Sequence, residues 1–423
     1  MYNGKKIGLA LSGGGYRAAA FHLGTLKALH QIGVLEHTDV ISSVSGGSIV
    51  AASYMLHDKS FDDFEKSFKK KLHYGVLHLL LAELAVIGTI LIIAGSYSTI
   101  LMLLLLLAVV SLTNYIIPSS KLIALQYDWR FFKGKKIKDL PKHPIFAINA
   151  TDTEYALPFT FLRDRVLHSK YHTNDGRLVF NTSKISVAKA VMASSCIPLF
   201  SPVCIGKKYQ NSALGKKIYL MDGGLYDNQG AHRIALSESK LHTTYHIISD
   251  AGNDVWNSRF IPSIAMTMLK GVNILMRRIK RVQNEKYIYQ GIKGDDRYAY
   301  IQLDWSLSDQ TIKGFINHLA LGNIGDELIT FHGIPQECIS ALRGDDEIQK
   351  KASCQEIERL LKDSIDWPSI QIIQPTIKEY ELVTNIKTGL SGLSDNEIAA
   401  LEKQAMWLTI VQMRLYFPYL INY

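Results

Sequence analysis

Gly13-Gly14-Gly15-Tyr16-Arg17 and Ser43-Val44-Ser45-Gly46-Gly47 are the two stretches on which the fold of this 423-residue chain turns. Residues 5–12 form a short apolar run with little helical periodicity, the pattern of a buried strand. The three glycines after it let the backbone turn sharply and leave N–H groups uncovered by side chains. A helix is expected next, with Ala18, Ala19, Leu23, Leu26 and Leu29 on its buried side and Gly33 as its stop. N–H groups between a strand and a helix N-terminus bind negative charge, as an oxyanion hole must. A second strand, around Val40 to Val44, runs directly into Ser45 and two glycines. That is the strand–turn–helix setting in which a nucleophilic serine is held exposed on a tight turn.

Gly13-x-Gly15-x-x-Ala18 also fits the dinucleotide-binding fingerprint. Such a site needs an acidic residue at the far end of the second strand to hold the ribose. Asp39 comes at the beginning of that strand, and Ser43 and Ser45 stand at its end. No nucleotide or other cofactor is therefore expected.

In Tyr219-Leu220-Met221-Asp222-Gly223-Gly224 an apolar strand end delivers a carboxylate into a Gly-Gly turn. With this third element the chain resembles the patatin-like phospholipases and, more distantly, the catalytic domain of cytosolic phospholipase A2. Besides Gly13–Arg17, Ser43–Gly47 and Asp222-Gly223-Gly224, the matching stretches are Asn149-Ala150-Thr151-Asp152 and Ala193-Ser194-Ser195-Cys196-Ile197-Pro198-Leu199-Phe200. Each is weak alone; their order is specific. The likeness covers about residues 5–255, apart from residues 76–117. It departs at one position, where Ser43 replaces the first glycine of the family's Gly-x-Ser-x-Gly.

The resemblance implies a Ser–Asp dyad. Ser45 would attack an ester carbonyl and form an acyl-enzyme, with Asp222 as both base and acid. An ordinary aspartate is a poor base near neutral pH, so burial must raise its pKa. Backbone N–H groups of Gly14 and Gly15, with Gly13 as a third candidate, would face the oxyanion. For Arg17 two roles stay open: contact with a substrate phosphate, as the resemblance implies, or pairing that braces the glycine loop. Among the 14 histidines, His232 and His246 follow Asp222 and offer a Ser–His–Asp alternative, but neither sits in a strand-end motif that would aim it. Asp152 and Asp250 end apolar strands and are read as supports, and Asn228 as a residue orienting the turn after Asp222.

Val76 to Ile117 is apolar, with one carboxylate, Glu83, and no Lys or Arg. It is too long for one membrane span of roughly 20 residues and suits two, turning at Gly95-Ser96-Tyr97-Ser98. A transmembrane or re-entrant helical hairpin is expected there. Lys66, Lys69, Lys70 and Lys71 precede it, and Lys121, Arg130, Lys133, Lys135, Lys136 and Lys138 follow, which places both flanks on the cytoplasmic side. The polar start, Met1 to Lys6, shows no signal peptide. The net charge of +9 suits anionic lipid surfaces, and no nucleic-acid motif accompanies it. Arg277, Arg278, Lys280 and Arg281 are read either as a further membrane contact or as a solvated helix face. Four cysteines without metal or redox spacing, no Asp-rich calcium loop and no His/Cys cluster give no expectation of a metal.

The fold expected is α/β: a three-layer α/β/α domain with a mostly parallel sheet. It would comprise residues 1–75 and 118–260, with the hairpin 76–117 inserted. Residues 261–423 are expected to be mainly helical, with helices at 261–289, 347–362 and 395–416. Their role is open between completing the core, covering the site and binding a partner. The function expected is that of a membrane-associated serine hydrolase cleaving phospholipid or related lipid esters, of phospholipase A or lysophospholipase type. A catalytically silent membrane scaffold of the same fold is the alternative, against which the intact Ser45, Asp222 and glycine loop argue.

Overall fold

The computed structural model describes residues 4–76, 118–172, 179–210, 215–252, 264–285, 296–306 and 310–421. Among these, nine strands form one sheet. They are β1 Ile7–Leu11, β2 Val40–Ser43, β3 Ile145–Asp152, β4 Leu157–Phe161, β5 Val166–Leu167, β6 Val203–Ile205, β7 Ile218–Asp222, β8 Tyr245–Asp250 and β9 Arg297–Gln302. A parallel core runs in the order β3-β2-β1-β8-β9. β4 and β5 add to it antiparallel beyond β3, and β7 pairs antiparallel with both β3 and β6.

Strands of the parallel core are buried on both faces, so they read as apolar runs and not as alternating ones. Leu9, Leu11, Ile41, Ile148, Ile247 and Ile301 belong to the larger core. Ala10, Val40, Ala147, Ile248, Tyr298 and Tyr300 belong to the smaller one. Helices Gly15–Gln31, Gly46–Met55, Val187–Ser194 and Asp395–Tyr416 pack on the larger side. The short helix His232–Ala235 lies over β1 and β2 on the other, where Ala231 and Ala235 let it approach closely. The layers are therefore unequal.

Residues beyond 260 are integral to this core. β9 extends the parallel sheet beside β8. Helix Asp395–Tyr416, opened by a Ser394–Glu397 capping box, lies along helix Gly15–Gln31 and buries Leu401, Ala405, Trp407 and Leu408 completely. Buried Glu402 receives Lys27 at 2.6 Å, and Lys27 also reaches Glu65 at 2.9 Å, so neither acid is left as an uncompensated charge. Residue 261, where the α/β domain was expected to end, is thus not where the core ends. The helices expected at 261–289, 347–362 and 395–416 are present as Ile264–Asn284, Glu347–Ser364 and Asp395–Tyr416.

The expected hairpin falls almost wholly outside the described residues. Among those described, no helix is long and apolar enough to cross a membrane.

If the C-terminal helix completes the core, Leu401→Ala should cost about 2–5 kcal/mol in urea unfolding. The whole chain should still unfold in one transition. Two separate transitions would show that residues 264–421 fold as a unit of their own.

Candidate active site

β3 brings the serine and the aspartate together. β4 occupies one edge of β3 along Ile148–Asp152. β2, paired through Ser43 and Ile148, and β7, paired through Asp222 and Ala150, must therefore share the other edge. They enter it from opposite directions, and only two residues of β3, about 7 Å, separate those pairings. Ser45 leaves the end of β2 where Asp222 leaves the end of β7.

Ser45 sits at φ 50°, ψ −116°, a conformation that stores strain in a residue other than glycine. It is held there by its N–H, which donates to Ser194 Oγ at 2.9 Å, and by the helix Gly46–Met55 that follows. A Cβ on Gly46 would lie 2.1 Å from the Gly15 carbonyl oxygen, so the elbow and the glycine loop touch backbone to backbone. The Ser43 hydroxyl, where the family has glycine, pairs with Ser48 Oγ at 2.9 Å and lies 3.3 Å from the Ala147 carbonyl. The departure is absorbed by hydrogen bonds inside the elbow.

The Asp222 carboxyl is buried. Its Oδ1 accepts the Gly224 N–H at 2.7 Å, and the Ser45 side chain lies near enough to favour its charged form. Its backbone is pinned by the Asp222 N–H donating to Cys196 at 2.8 Å and by Thr151 Oγ1 donating to its carbonyl at 2.8 Å. Burial pushes the carboxyl up to about 7, although Gly224 and Ser45 both pull it down.

Of the three candidate oxyanion glycines, Gly13 is committed elsewhere: its N–H donates to the Asn228 carbonyl at 2.9 Å. Gly14, with φ 144°, and Gly15, with φ 60°, place their N–H groups at the N-terminus of helix Gly15–Gln31, where no preceding turn accepts them. Arg17 is buried. Its Nη1 donates to the Ile386 carbonyl at 3.0 Å and its Nη2 to the Ala251 carbonyl at 2.9 Å. Burial lowers its pKa to about 10, opposed by Asp250 and Asp304. These bonds tie the helix after the glycine loop to distant carbonyls, which a substrate phosphate would have to displace.

The histidine alternatives lie elsewhere. His246 pairs with Gly8 near the N-terminal end of β8, away from the strand ends that carry Ser45 and Asp222. The His232 ring packs edge-on to Tyr226, and the residue's backbone N–H donates to Asp227 Oδ2. Asp152 takes the Tyr171 hydroxyl at 2.6 Å, with His168 at 3.2 Å. Burial raises Asp250, but Lys280 at 2.9 Å and the Tyr300 hydroxyl at 2.6 Å hold it down at about 2. Both carboxylates are structural.

Several residues at the site carried no assigned role in the sequence. Ser194 holds the elbow and also bonds Ser48 at 3.0 Å. Asn149 donates to Ser42 Oγ at 2.9 Å and to the Ser43 carbonyl at 3.1 Å. His22, buried and lowered by that burial to about 4, ties Ser249 to the Ser12 carbonyl. The first two fall inside quoted motifs, which was the available signal; His22 looked like one more residue on a helix.

Leu225, Val272, Leu275, Met276, Ile279 and Val282 line an apolar cleft of about 470 Å³ between the Asp222 turn and helix Ile264–Asn284. Its inner end abuts the site. A Cβ on Gly224 would lie 2.6 Å from Met276 Cε and 2.9 Å from Asp222 Oδ1.

The family model of patatin-like phospholipases matches residues 9–233, more than half of the chain. The chain belongs to the patatin-like phospholipase family, and membership supports lipid acyl hydrolysis as its class of activity. Among curated proteins none matches it. Among solved structures it is similar to human GIVD cytosolic phospholipase A2, at 13% identity and TM-score 0.37, over 57% of this chain and 42% of that one, less than half its length. It is also similar to VipD from Legionella pneumophila, at 13% identity and TM-score 0.31, over 96% of this chain and 91% of that one.

The raised carboxyl makes a stability prediction with a definite sign. Asp222 binds its proton more tightly folded than unfolded, so its contribution is full below pH 3.8 and is lost as the pH rises to about 7. Asp222→Asn removes that loss. Its melting temperature should exceed wild type at pH 8, and the gain should shrink towards pH 4.

Proposed function

We propose that this protein hydrolyses acyl esters of phospholipids or lysophospholipids at a membrane surface, with Ser45 and Asp222 as the catalytic dyad. The observation that carries this reading is a buried carboxyl, raised to about 7, beside a serine on a strained elbow. Ser45 Oγ attacks the ester carbonyl while Asp222 takes its proton. The tetrahedral oxyanion faces the N–H groups of Gly14 and Gly15, each donor worth about 3–4 kcal/mol. Collapse expels the alcohol, protonated by Asp222, and water releases the acyl group by the same steps in turn. The cleft beside Gly224 gives the acyl chain an apolar wall.

Two features support attachment to the cytoplasmic face of a membrane. The flanks of the apolar stretch 76–117 expose Tyr74 (71%) and Trp129 (73%) among basic residues, the mixture that anchors at lipid–water interfaces. Arg130 joins those flanks to the site, donating to the Tyr74 carbonyl and to the Tyr16 hydroxyl. On helix Ile264–Asn284, exposed Leu275 and Val282 adjoin exposed Arg278 and Arg281, an arrangement suited to an anionic interface.

Ser45→Ala should abolish hydrolysis of a short-chain soluble ester and labelling by a fluorophosphonate. Wild-type kcat/KM should rise with pH about a midpoint near 7, as Asp222 loses its proton. Full activity in Asp222→Asn would reject the dyad. Separately, the full-length protein should resist carbonate extraction from membranes, and deletion of residues 76–117 should release it with soluble-ester activity retained. Recovery of the intact chain in the soluble fraction would reject membrane insertion.

A further inference from the structure

We propose that His242, His246 and Asp296 form a binding site for a divalent transition metal of the Zn²⁺ class, at the end of the sheet opposite the dyad. β8 and β9 begin side by side, with Tyr245 paired to Arg297. His242 precedes β8, His246 is its second residue, and Asp296 immediately precedes β9. The two histidine Nε2 atoms lie 3.1 Å and 3.6 Å from the same oxygen, Asp296 Oδ2. All three donor atoms fall within 4.8 Å of one another. Tetrahedral coordination with bonds of about 2.0–2.1 Å sets neighbouring ligand atoms about 3.3 Å apart, between those two distances.

His246 supplies the independent observation. Its side chain is fully buried, and its Nε2 has no hydrogen-bond partner among the described residues. The 3.6 Å to Asp296 is beyond hydrogen-bond reach. The ring cannot turn away, because Nδ1 pairs with Thr243 Oγ1 at 3.2 Å and its face stacks on Tyr298 at 4.4 Å. Burial favours the neutral imidazole, and with Nδ1 as its protonated nitrogen the Nε2 lone pair points at a carboxylate oxygen. Acceptor against acceptor is unfavourable in a dry site; a cation between them satisfies both. The Thr243 contact is the kind of outer partner that fixes a histidine ligand's tautomer. Two imidazoles and one carboxylate select Zn²⁺ and its transition-metal neighbours over Ca²⁺ or Mg²⁺. His242 and Asp296 keep side-chain exposures of 30% and 21%, which provides an entry path and an open coordination position.

The site would clamp β9, at the edge of the parallel core, onto β8. This departs from the expectation of no metal: His242 and His246 lie four residues apart, but Asp296 lies far along the chain from both.

The test uses full-length protein without a histidine tag, stripped with EDTA and titrated with Zn²⁺ by calorimetry. One Zn²⁺ should bind per chain, and the unfolding midpoint should climb with the logarithm of free Zn²⁺. His242→Ala and Asp296→Asn alter partly exposed groups. Each should weaken Zn²⁺ binding by more than the roughly 10–100-fold that loss of an outer partner costs, with a metal-free unfolding midpoint near that of wild type. Co²⁺ should give visible ligand-field bands in wild type and lose them in both variants. Soluble-ester hydrolysis should survive EDTA, because the dyad lies at the other end of the strands. No saturable Zn²⁺ binding up to millimolar concentration, or equal binding in wild type and both variants, would overturn the proposal.

Discussion

The arrangement rests on the divided edge of β3. Only β2 can pair with its first half and only β7 with its second, because β4 holds the opposite edge. That backbone pairing aims two chain segments, far apart in sequence, at one point. No side chain has to be recruited to close the distance between Ser45 and Asp222. The remaining task is to keep the meeting point dry and still. Thr151, Cys196, Ser194 and Asn149 do so by holding backbone groups on either side.

Dryness is also what would suit the aspartate to the role proposed for it. In water its carboxyl would be ionised at neutral pH and would take a proton from serine only weakly. Burial narrows that gap, and the same burial works against folding once the group is charged. Strain at Ser45 acts in the same direction. Both burdens fall on the C-terminal ends of the central strands, where core packing is extensive enough to carry them.

Much of this was legible in the sequence because strands and tight turns leave local marks. Gly15, Gly46, Gly47 and Gly223 mark where backbone meets backbone, and the apolar runs before these turns mark the strands. The long helices expected at 347–362 and 395–416 showed in their amphipathic pattern, while the caps Asp346 and Ser394 were read only from the structure. What stayed hidden depends on distant partners. The two readings of Arg17 could not be separated, because the carbonyls that engage it belong to Ala251 and Ile386. Gly13 stood as a third candidate beside Gly14 and Gly15, and only the fold shows the Asn228 carbonyl that accepts its N–H. The contribution of residues beyond 260 to the sheet was likewise invisible, since β9 is recognisable as a fifth parallel strand only beside β8.

The Tyr16 N–H donates to the Gly389 carbonyl at 2.8 Å, one residue before Arg17 reaches Ile386. The glycine loop, which belongs to the segment common to the family, is therefore fastened from outside that segment. Residues 9–233 are consequently not a cassette that evolution or an engineer can lift out and transplant intact. Whatever is recombined with them must bring its own carbonyls to these positions, so the distal chain is constrained by the shape of the glycine loop it fastens.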